Sequence, residues 1–292
     1  QFLDADTGAA AVAAAAAALE PVAPDEFISF ASTPGIMDGL LKDKSKNAKK
    51  KAAKKTNKKK VGMIADAVGE HLDAHGWAVC DNFLPLDIVR RVRIEAEIFR
   101  DCYEHSEIWV GKAADVGAHL QVPSVRGDKV LWMCGGHRAA PEGVTRMVST
   151  KGEIEPCKLD IKAEAPMRKF SAMKELVEAI DKLVDEMKGR VKRLGGIYER
   201  SDAMLAVFPG EGARFARHID NTTSDGRRLT VLVYLNPDWD RARDQGALRL
   251  TPGQETVDVF PEAGRLAMFY SADVPHEVMP TFGQRNAVTV WY

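Results

Sequence analysis

His218 and Asp220 stand two positions apart in Arg-His-Ile-Asp-Asn, His276 follows 56 positions after Asp220, and Arg285 lies nine positions past His276. On a β-strand, residues i and i+2 share a face, so His218 and Asp220 are placed to grip one object together. Two imidazoles and one carboxylate form the facial triad that holds Fe(II) and leaves three positions open. A closed structural zinc site wants four protein ligands, and no fourth His or Cys has an obvious motif position nearby. Alone, His-x-Asp is a weak pattern. Its weight here comes from the ordered series ending in Arg285, a fixed guanidinium fork suited to a carboxylate. The set predicts a catalytic iron beside a carboxylate-bearing cosubstrate.

Such groups need a rigid frame. From residue 202 onward the chain reads as β, with candidate strands at 203–208, 214–220, 229–235, 247–251, 256–260, 265–270, 276–279 and 286–292, separated by Gly, Pro, Asn and Asp turns. Eight short strands of this kind predict a jelly roll, two sheets packed face to face. Upstream, a helix ends at Gly76, Trp77 to Cys80 reads as a strand, a second helix spans about 86–103, and 128–134 reads as a strand. The segment 109–124 lacks periodicity. The helix over about 169–193 carries an apolar stripe through Phe170, Met173, Leu176, Val177, Ile180, Leu183, Val184, Met187 and Val191, and Gly195-Gly196 ends it. Such a stripe is core packing, and the expected role is to buttress the sheet.

The motifs that carry a family resemblance are Met204-x-x-x-Phe208-Pro209-Gly210, Arg217 to Asn221, Asp225-Gly226-Arg227, Tyr234-Leu235-Asn236-x-x-Trp239, Gly246-x-Leu248-Arg249, Pro275-His276-Glu277-Val278-x-Pro280 and Thr289 to Tyr292. Upstream come Gly76 to Val79, Asp81 to Leu84, and Arg126 to Lys129 with Trp132. Together these resemble the prolyl 4-hydroxylase branch of the Fe(II)/2-oxoglutarate dioxygenases, and within it the hypoxia-inducible-factor prolyl hydroxylases and their protist and bacterial relatives. The resemblance covers about residues 61–292, less a Gly/Pro-punctuated insertion at 135–168.

The resemblance implies a mainly β fold, the double-stranded β-helix, with supporting α-helices. It implies His218, Asp220 and His276 as metal ligands. Arg285, Tyr234 and Thr289 would hold 2-oxoglutarate among apolar walls of Met204, Leu232 and Leu248, with Trp291 completing them. Arg227 and Trp291 would contact a peptide, and Asp128 would pair with Arg227 to shape that surface. The implied cofactors are Fe(II), 2-oxoglutarate and O₂, with ascorbate as reductant. The implied reaction is 4-hydroxylation of a proline in a protein (a transcription factor, a ubiquitin-ligase adaptor or a translation protein), in the manner of an oxygen sensor. The segment 109–124 matches a mobile loop that closes over the peptide. Two positions separate this chain from relatives: Phe208 stands where animal oxygen-sensing members carry Tyr, and Arg285 where collagen-type members use Lys. Two competing readings stay open, an oxygenase of the same fold acting on another residue or a small molecule, and a binding module without activity. Intact His218, Asp220, His276 and Arg285 weigh against the second.

Composition fits one large domain with a tail. The 292 residues are 45% hydrophobic, and the net charge of −1 conceals a strong asymmetry. Residues 42–60 hold eleven Lys and one Asp, so the rest of the chain carries −11. The expected organisation is an Ala-rich and Lys-rich disordered arm over 1–60, with a short helix near 9–20, helical support over 61–200 and the jelly-roll core over 201–292. The lysine run reads as a solvated linker, a nuclear-targeting segment or a nucleic-acid contact. No aromatic side chains interleave it, so base stacking has no support, and the acidic body argues against nucleic-acid binding beyond the arm. Cys80, Cys102, Cys134 and Cys157 form no Cys-x-x-Cys pair, which predicts free thiols in a reducing compartment. No apolar run approaches the roughly 18 residues of a membrane helix, and no basic leader marks a signal peptide. The expected location is cytoplasmic and also nuclear.

Overall fold

The computed structural model describes residues 49–113, 116–135, 154–156, 171–197 and 199–292. Its elements, in chain order, are α1 (Lys49–His75), β1 (Trp77–Cys80), α2 (Leu86–Glu97), β2 (Glu104–His105), β3 (Ile108–Ala113), β4 (Val116–Leu120), β5 (Lys129–Gly135), β6 (Ile154–Pro156), α3 (Ser171–Lys188), β7 (Ala203–Phe208), β8 (Ala213–His218), β9 (Leu229–Tyr234), α4 (Arg241–Asp244), β10 (Leu248–Leu250), β11 (Val257–Val259), β12 (Leu266–Tyr270), β13 (His276–Thr281) and β14 (Arg285–Trp291).

Two antiparallel sheets face each other. The larger runs β1-β12-β9-β14-β7-β5-β2, with β6 added on β5, and the smaller runs β11-β10-β13-β8. The eight strands predicted from residue 203 onward supply four of the larger sheet and all four of the smaller. The fold is the expected jelly roll.

Strand alternation divides the core. On β14, Val288 and Val290 face the helices, as does Tyr292 just beyond the strand, while Ala287 faces the interior between the sheets. On β9, Leu229, Val231 and Val233 point to the helices, and Leu232 and Tyr234 point inward. Period-2 projection makes both faces apolar, as a strand covered on each side requires. Helices α1, α2 and α3 cover the outer face through Leu72, Val89, Val92, Leu176, Ile180 and Leu183. Glu95 of α2 accepts hydrogen bonds from the backbone N–H groups of Ala172 (2.9 Å) and Met173 (2.8 Å) at the start of α3. A carboxylate there satisfies orphan donors and complements the helix dipole. Gly264 must be glycine: its φ is +77°, and a Cβ would lie 2.1 Å from the Leu84 carbonyl oxygen.

Three expectations are corrected. The first helix reaches back to Lys49, inside the lysine run expected as part of a disordered arm. Lys and Ala are good helix formers, so the lysine run itself favours the helical continuation. The second helix stops at Glu97, followed by a 3₁₀ turn over Arg100–Cys102, rather than reaching 103. The aperiodic segment 109–124 contains most of the β3–β4 hairpin, which pairs with neither main sheet. Residues 1–48, with the Ala-rich stretch and its expected helix near 9–20, lie outside the described residues, as does most of the 135–168 insertion. Among the described residues no helix is long and apolar enough to cross a membrane.

Candidate active site

The smaller sheet brings the two histidines together. His218 ends β8, His276 begins β13, and the two are Cα partners in the antiparallel pair. Their ring centroids are 4.2 Å apart. Asp220, two residues past His218, turns its Oδ1 to both: 3.4 Å from His218 Nε2 and 3.6 Å from His276 Nε2. All three ligand atoms lie within 4.8 Å of one another.

The surroundings fix which atoms are available. His218 Nδ1 lies 2.9 Å from the Ala216 carbonyl oxygen, and His276 Nδ1 lies 3.0 Å from that of Val274. A carbonyl only accepts, so each Nδ1 carries the proton and each Nε2 presents a lone pair to the common point. Asp220 Oδ2 accepts hydrogen bonds from Thr230 Oγ1 (2.7 Å) and Trp291 Nε1 (2.9 Å), which leaves Oδ1 free to ligate. Thr230 gives its only hydroxyl proton to Asp220, so Ser271 Oγ, 2.9 Å away, donates to Thr230. Burial works against the Asp220 carboxylate charge, yet His276, His218 and the Trp291 donor together hold its pKa well below the usual range. Burial pushes His276 down to about 4, against the pull of Asp220, so its imidazole is neutral at pH 7. Neutral imidazoles and an ionised carboxylate are the state a divalent cation needs. Phe215 stacks on His218 at 3.8 Å, and Phe269 lies 4.4 Å from the His276 ring, bracing both ligands.

A second polar centre lies on the larger sheet. Arg285 opens β14 and is 1% exposed. Its Nε donates to the Gly246 carbonyl at 3.0 Å, and its guanidinium sits 5.1 Å from the Tyr234 ring and 5.2 Å from the Phe208 ring. Arg285 Nη2 and Tyr234 Oη are both buried without a hydrogen-bond partner. The two groups sense each other electrostatically, but their geometry falls short of a hydrogen bond. Burial lowers the Arg285 pKa and raises that of Tyr234, each opposed by the other group. Unpaired buried donors are costly. A guanidinium and a phenol both free to donate, enclosed by apolar walls, fit a carboxylate.

Between the two centres run the inward positions of β14, β9 and β7. Thr289 pairs with Met204 and Leu232, Ala287 with Ala206 and Tyr234, and Trp291 with Thr230. Met204, Leu232, Leu248 and Thr289 are all buried. Leu248 reaches the same interior from the smaller sheet. The donor set and these unpartnered groups fit Fe(II) and a dicarboxylic 2-oxo acid.

At the rim, one expected pairing is wrong. Asp128 is buried and takes Arg126 in a fork, Nε to Oδ1 at 2.9 Å and Nη2 to Oδ2 at 3.1 Å. Ser106 Oγ also donates to it at 2.5 Å. Arg227 instead binds Asp225, Nε to Oδ2 at 2.7 Å. Both arginines found carboxylates two residues away, where closure is cheapest. Arg227 still lies over the Trp291 ring at 5.7 Å, and Trp132 flanks Trp291 at 6.0 Å. Thr230, Ser271, Arg126 and Phe215 were not singled out from the sequence. Hydroxyl and aromatic side chains carry no spacing signal by themselves, and only Arg126 lay in a quoted motif.

Residues 203–292 match the family described as "2OG-Fe(II) oxygenase superfamily". The chain is 33% identical over 235 residues to the "Hypoxia-inducible factor prolyl hydroxylase" of Caenorhabditis elegans, covering 78% of this chain and 28% of that protein. It is 33% identical over 222 residues to "Prolyl hydroxylase EGLN3" of Mus musculus, covering 74% and 78% of the two chains. Among solved structures it is similar to a Trichoplax adhaerens prolyl hydroxylase in complex with a hypoxia inducible factor peptide fragment, with TM-score 0.61, 29% identity, and 80% and 91% of the chains covered. The chain spans little more than a quarter of the worm protein's length. With its jelly roll, its His-Asp-His cluster and these relatives, this chain belongs to the prolyl hydroxylase family of the 2OG-Fe(II) oxygenases.

Proposed function

We propose that this protein uses Fe(II), 2-oxoglutarate and O₂ to hydroxylate C4 of a proline in a protein substrate, as part of oxygen sensing. The observation that carries the reading is the pairing of the three-donor cluster with Arg285 Nη2 and Tyr234 Oη, buried donors free to take a carboxylate. The iron and 2-oxoglutarate together supply the oxidising chemistry that converts the cosubstrate to succinate and CO₂ and places one oxygen on the substrate.

The chain's own residues bind, orient and exclude water. His218, Asp220 and His276 would hold the metal as a three-donor set, short of a full coordination sphere, so cosubstrate and O₂ could bind beside them. Arg285 and Tyr234 fix the far carboxylate of 2-oxoglutarate, and the walls of Met204, Leu232, Leu248 and Ala287 keep its chain dry. Thr289 supplies a further hydroxyl on the same face. Phe208, beside Arg285, contributes a ring where animal relatives place a phenol. At the rim, Trp291 and Arg227 form the surface on which the proline-bearing segment lies, and positioning it is the protein's main contribution to rate. Asp128 acts there through Arg126, which sits 4.6 Å over the Phe215 ring.

The substrate is a proline-containing protein, in the classes already named, and ascorbate is the reductant that keeps the iron ferrous. The expected location is cytoplasmic and nuclear. Free Cys80 and Cys102 support a reducing compartment, and the lysine run supports nuclear entry. The test is succinate production with Fe(II), 2-oxoglutarate and a panel of proline-containing peptides. Peptide-dependent turnover with one oxygen gained on proline, lost in His276→Ala, supports the reading. Turnover with a small molecule but no peptide would assign the fold to a different substrate class.

A further inference from the structure

One polar cluster outside the site reaches it through the backbone. Asp181 of α3 accepts a hydrogen bond from Tyr292 Oη at 2.5 Å, and its Oδ1 lies 3.0 Å from Arg200 Nε. Arg200 and Tyr292 are both buried, 3% and 6% exposed. Arg200 Nη1 donates to the Ser201 carbonyl at 2.7 Å. Ser201 then clamps Trp291 from both sides. Its backbone N–H donates to the Trp291 carbonyl at 2.8 Å, and its Oγ accepts from the Trp291 N–H at 3.0 Å. Tyr292 is tied in turn to Leu229 by N–H···O bonds of 2.9 and 3.1 Å in the two directions.

Trp291 and Thr230 are the two residues that donate to Asp220 Oδ2. Trp291 adjoins Tyr292, and Thr230 adjoins Leu229. One carboxylate on the supporting helix thus holds, through Arg200, Ser201 and Tyr292, the strand ends that carry both donors. We propose that Asp181 is a positioning residue for the metal-binding carboxylate: with Arg200 and Tyr292 it locks Trp291 so that its indole N–H stays on Asp220 Oδ2 and Oδ1 stays turned to the histidines. This rests on reading Asp220 as a metal ligand. Groups that orient metal ligands affect affinity by about 10- to 100-fold when removed. Asp181 acts further back, through Tyr292 and Trp291, so its effect falls below that range, at about three- to tenfold.

The test compares Asp181→Asn and Tyr292→Phe with the wild type, and with Val177→Ala as a destabilised control whose substitution touches only the apolar face of α3. The chain has five tryptophans, so indole N–H signals of the ¹⁵N-labelled metal-free protein are resolvable, and Trp291→Phe identifies the signal of interest. Hydrogen exchange at that indole and Mn(II) affinity are the two readouts. Exchange at least about tenfold faster and Mn(II) binding about three- to tenfold weaker in both variants, with neither changed in Val177→Ala, supports the lock. Unchanged exchange in the variants, whatever their thermal stability, overturns it. Should Asp181→Asn fail to fold, Tyr292→Phe retains the ring and carries the test. Wild-type protein that binds no Mn(II) while its indole responds would sink the metal-ligand assignment and leave the lock standing.

Discussion

His218 and His276 are register partners across β8 and β13, and each is oriented by a carbonyl two residues before it, that of Ala216 or Val274. The backbone of the smaller sheet therefore sets both the separation and the tautomer of the two ligands before any metal arrives. Removing either imbalances a set of three, so His276→Ala should abolish high-affinity Fe(II) or Mn(II) binding. The folded state should survive, because the β8–β13 pairing is made by backbone and not by the His276 side chain. Calorimetric titration beside circular dichroism checks both halves, and retained micromolar binding in the variant would contradict the assignment.

Arg285 should tolerate no neutral substitute. In Arg285→Gln the KM for 2-oxoglutarate should rise by about 100-fold or more, as expected when a charge-assisted pair in a buried pocket is lost. Tyr234→Phe should raise it less, by about three- to tenfold, because one neutral donor is lost. Steady-state kinetics with varied cosubstrate separates these, and equal effects would refute the division of labour.

Asp128 and Arg126 should be energetically coupled. Removing one partner of a buried pair costs about 3–5 kcal/mol, and partial exposure of Arg126 puts this pair near the lower figure. A double-mutant cycle should show coupling for Asp128 with Arg126 and additivity for Asp128 with Arg227. Denaturant midpoints supply the numbers. Coupling with Arg227 instead would restore the pairing expected from the family.

Cys80 gives a pH signature. Burial pushes its thiol up to about 12, with Asp81 adding to the rise. The unfolded thiol ionises near its ordinary value of about 8.5. The folded state excludes thiolate, so this contribution to stability is complete below about pH 8.5 and is lost as pH rises toward 12. The wild type should therefore lose melting temperature more steeply between pH 9 and 11 than Cys80→Ala does. Parallel slopes would show that Cys80 ionises without opening the core.

Much of this was legible in the chain because strands advertise themselves. Residues 203–292 alternate so that Tyr234 and Ala287 point one way and Val233 and Val288 the other, and period-2 patterns survive without knowledge of partners. The triad was legible because His-x-Asp on a strand implies a shared face. What stayed hidden depended on packing across elements. Ser271 and Thr230 are 41 residues apart and meet at 2.9 Å, which no spacing rule encodes. The Asp128 partner was misassigned because the short-range alternative, Arg126, has no periodic mark. The role of Trp291 as donor to Asp220 depends on β14 lying beside β9, where Trp291 pairs with Thr230.

In the proposed function, the interior between the sheets holds a metal through His218, Asp220 and His276 and a dicarboxylate through Arg285 and Tyr234. Anaerobic titration of 2-oxoglutarate into the protein, with and without Mn(II), tests it most directly. The account predicts one equivalent bound per chain in the presence of Mn(II), at least about tenfold weaker binding without it, since the metal anchors one end of the ligand, and loss in Arg285→Gln. Equal binding with and without metal, or full binding by Arg285→Gln, would contradict it.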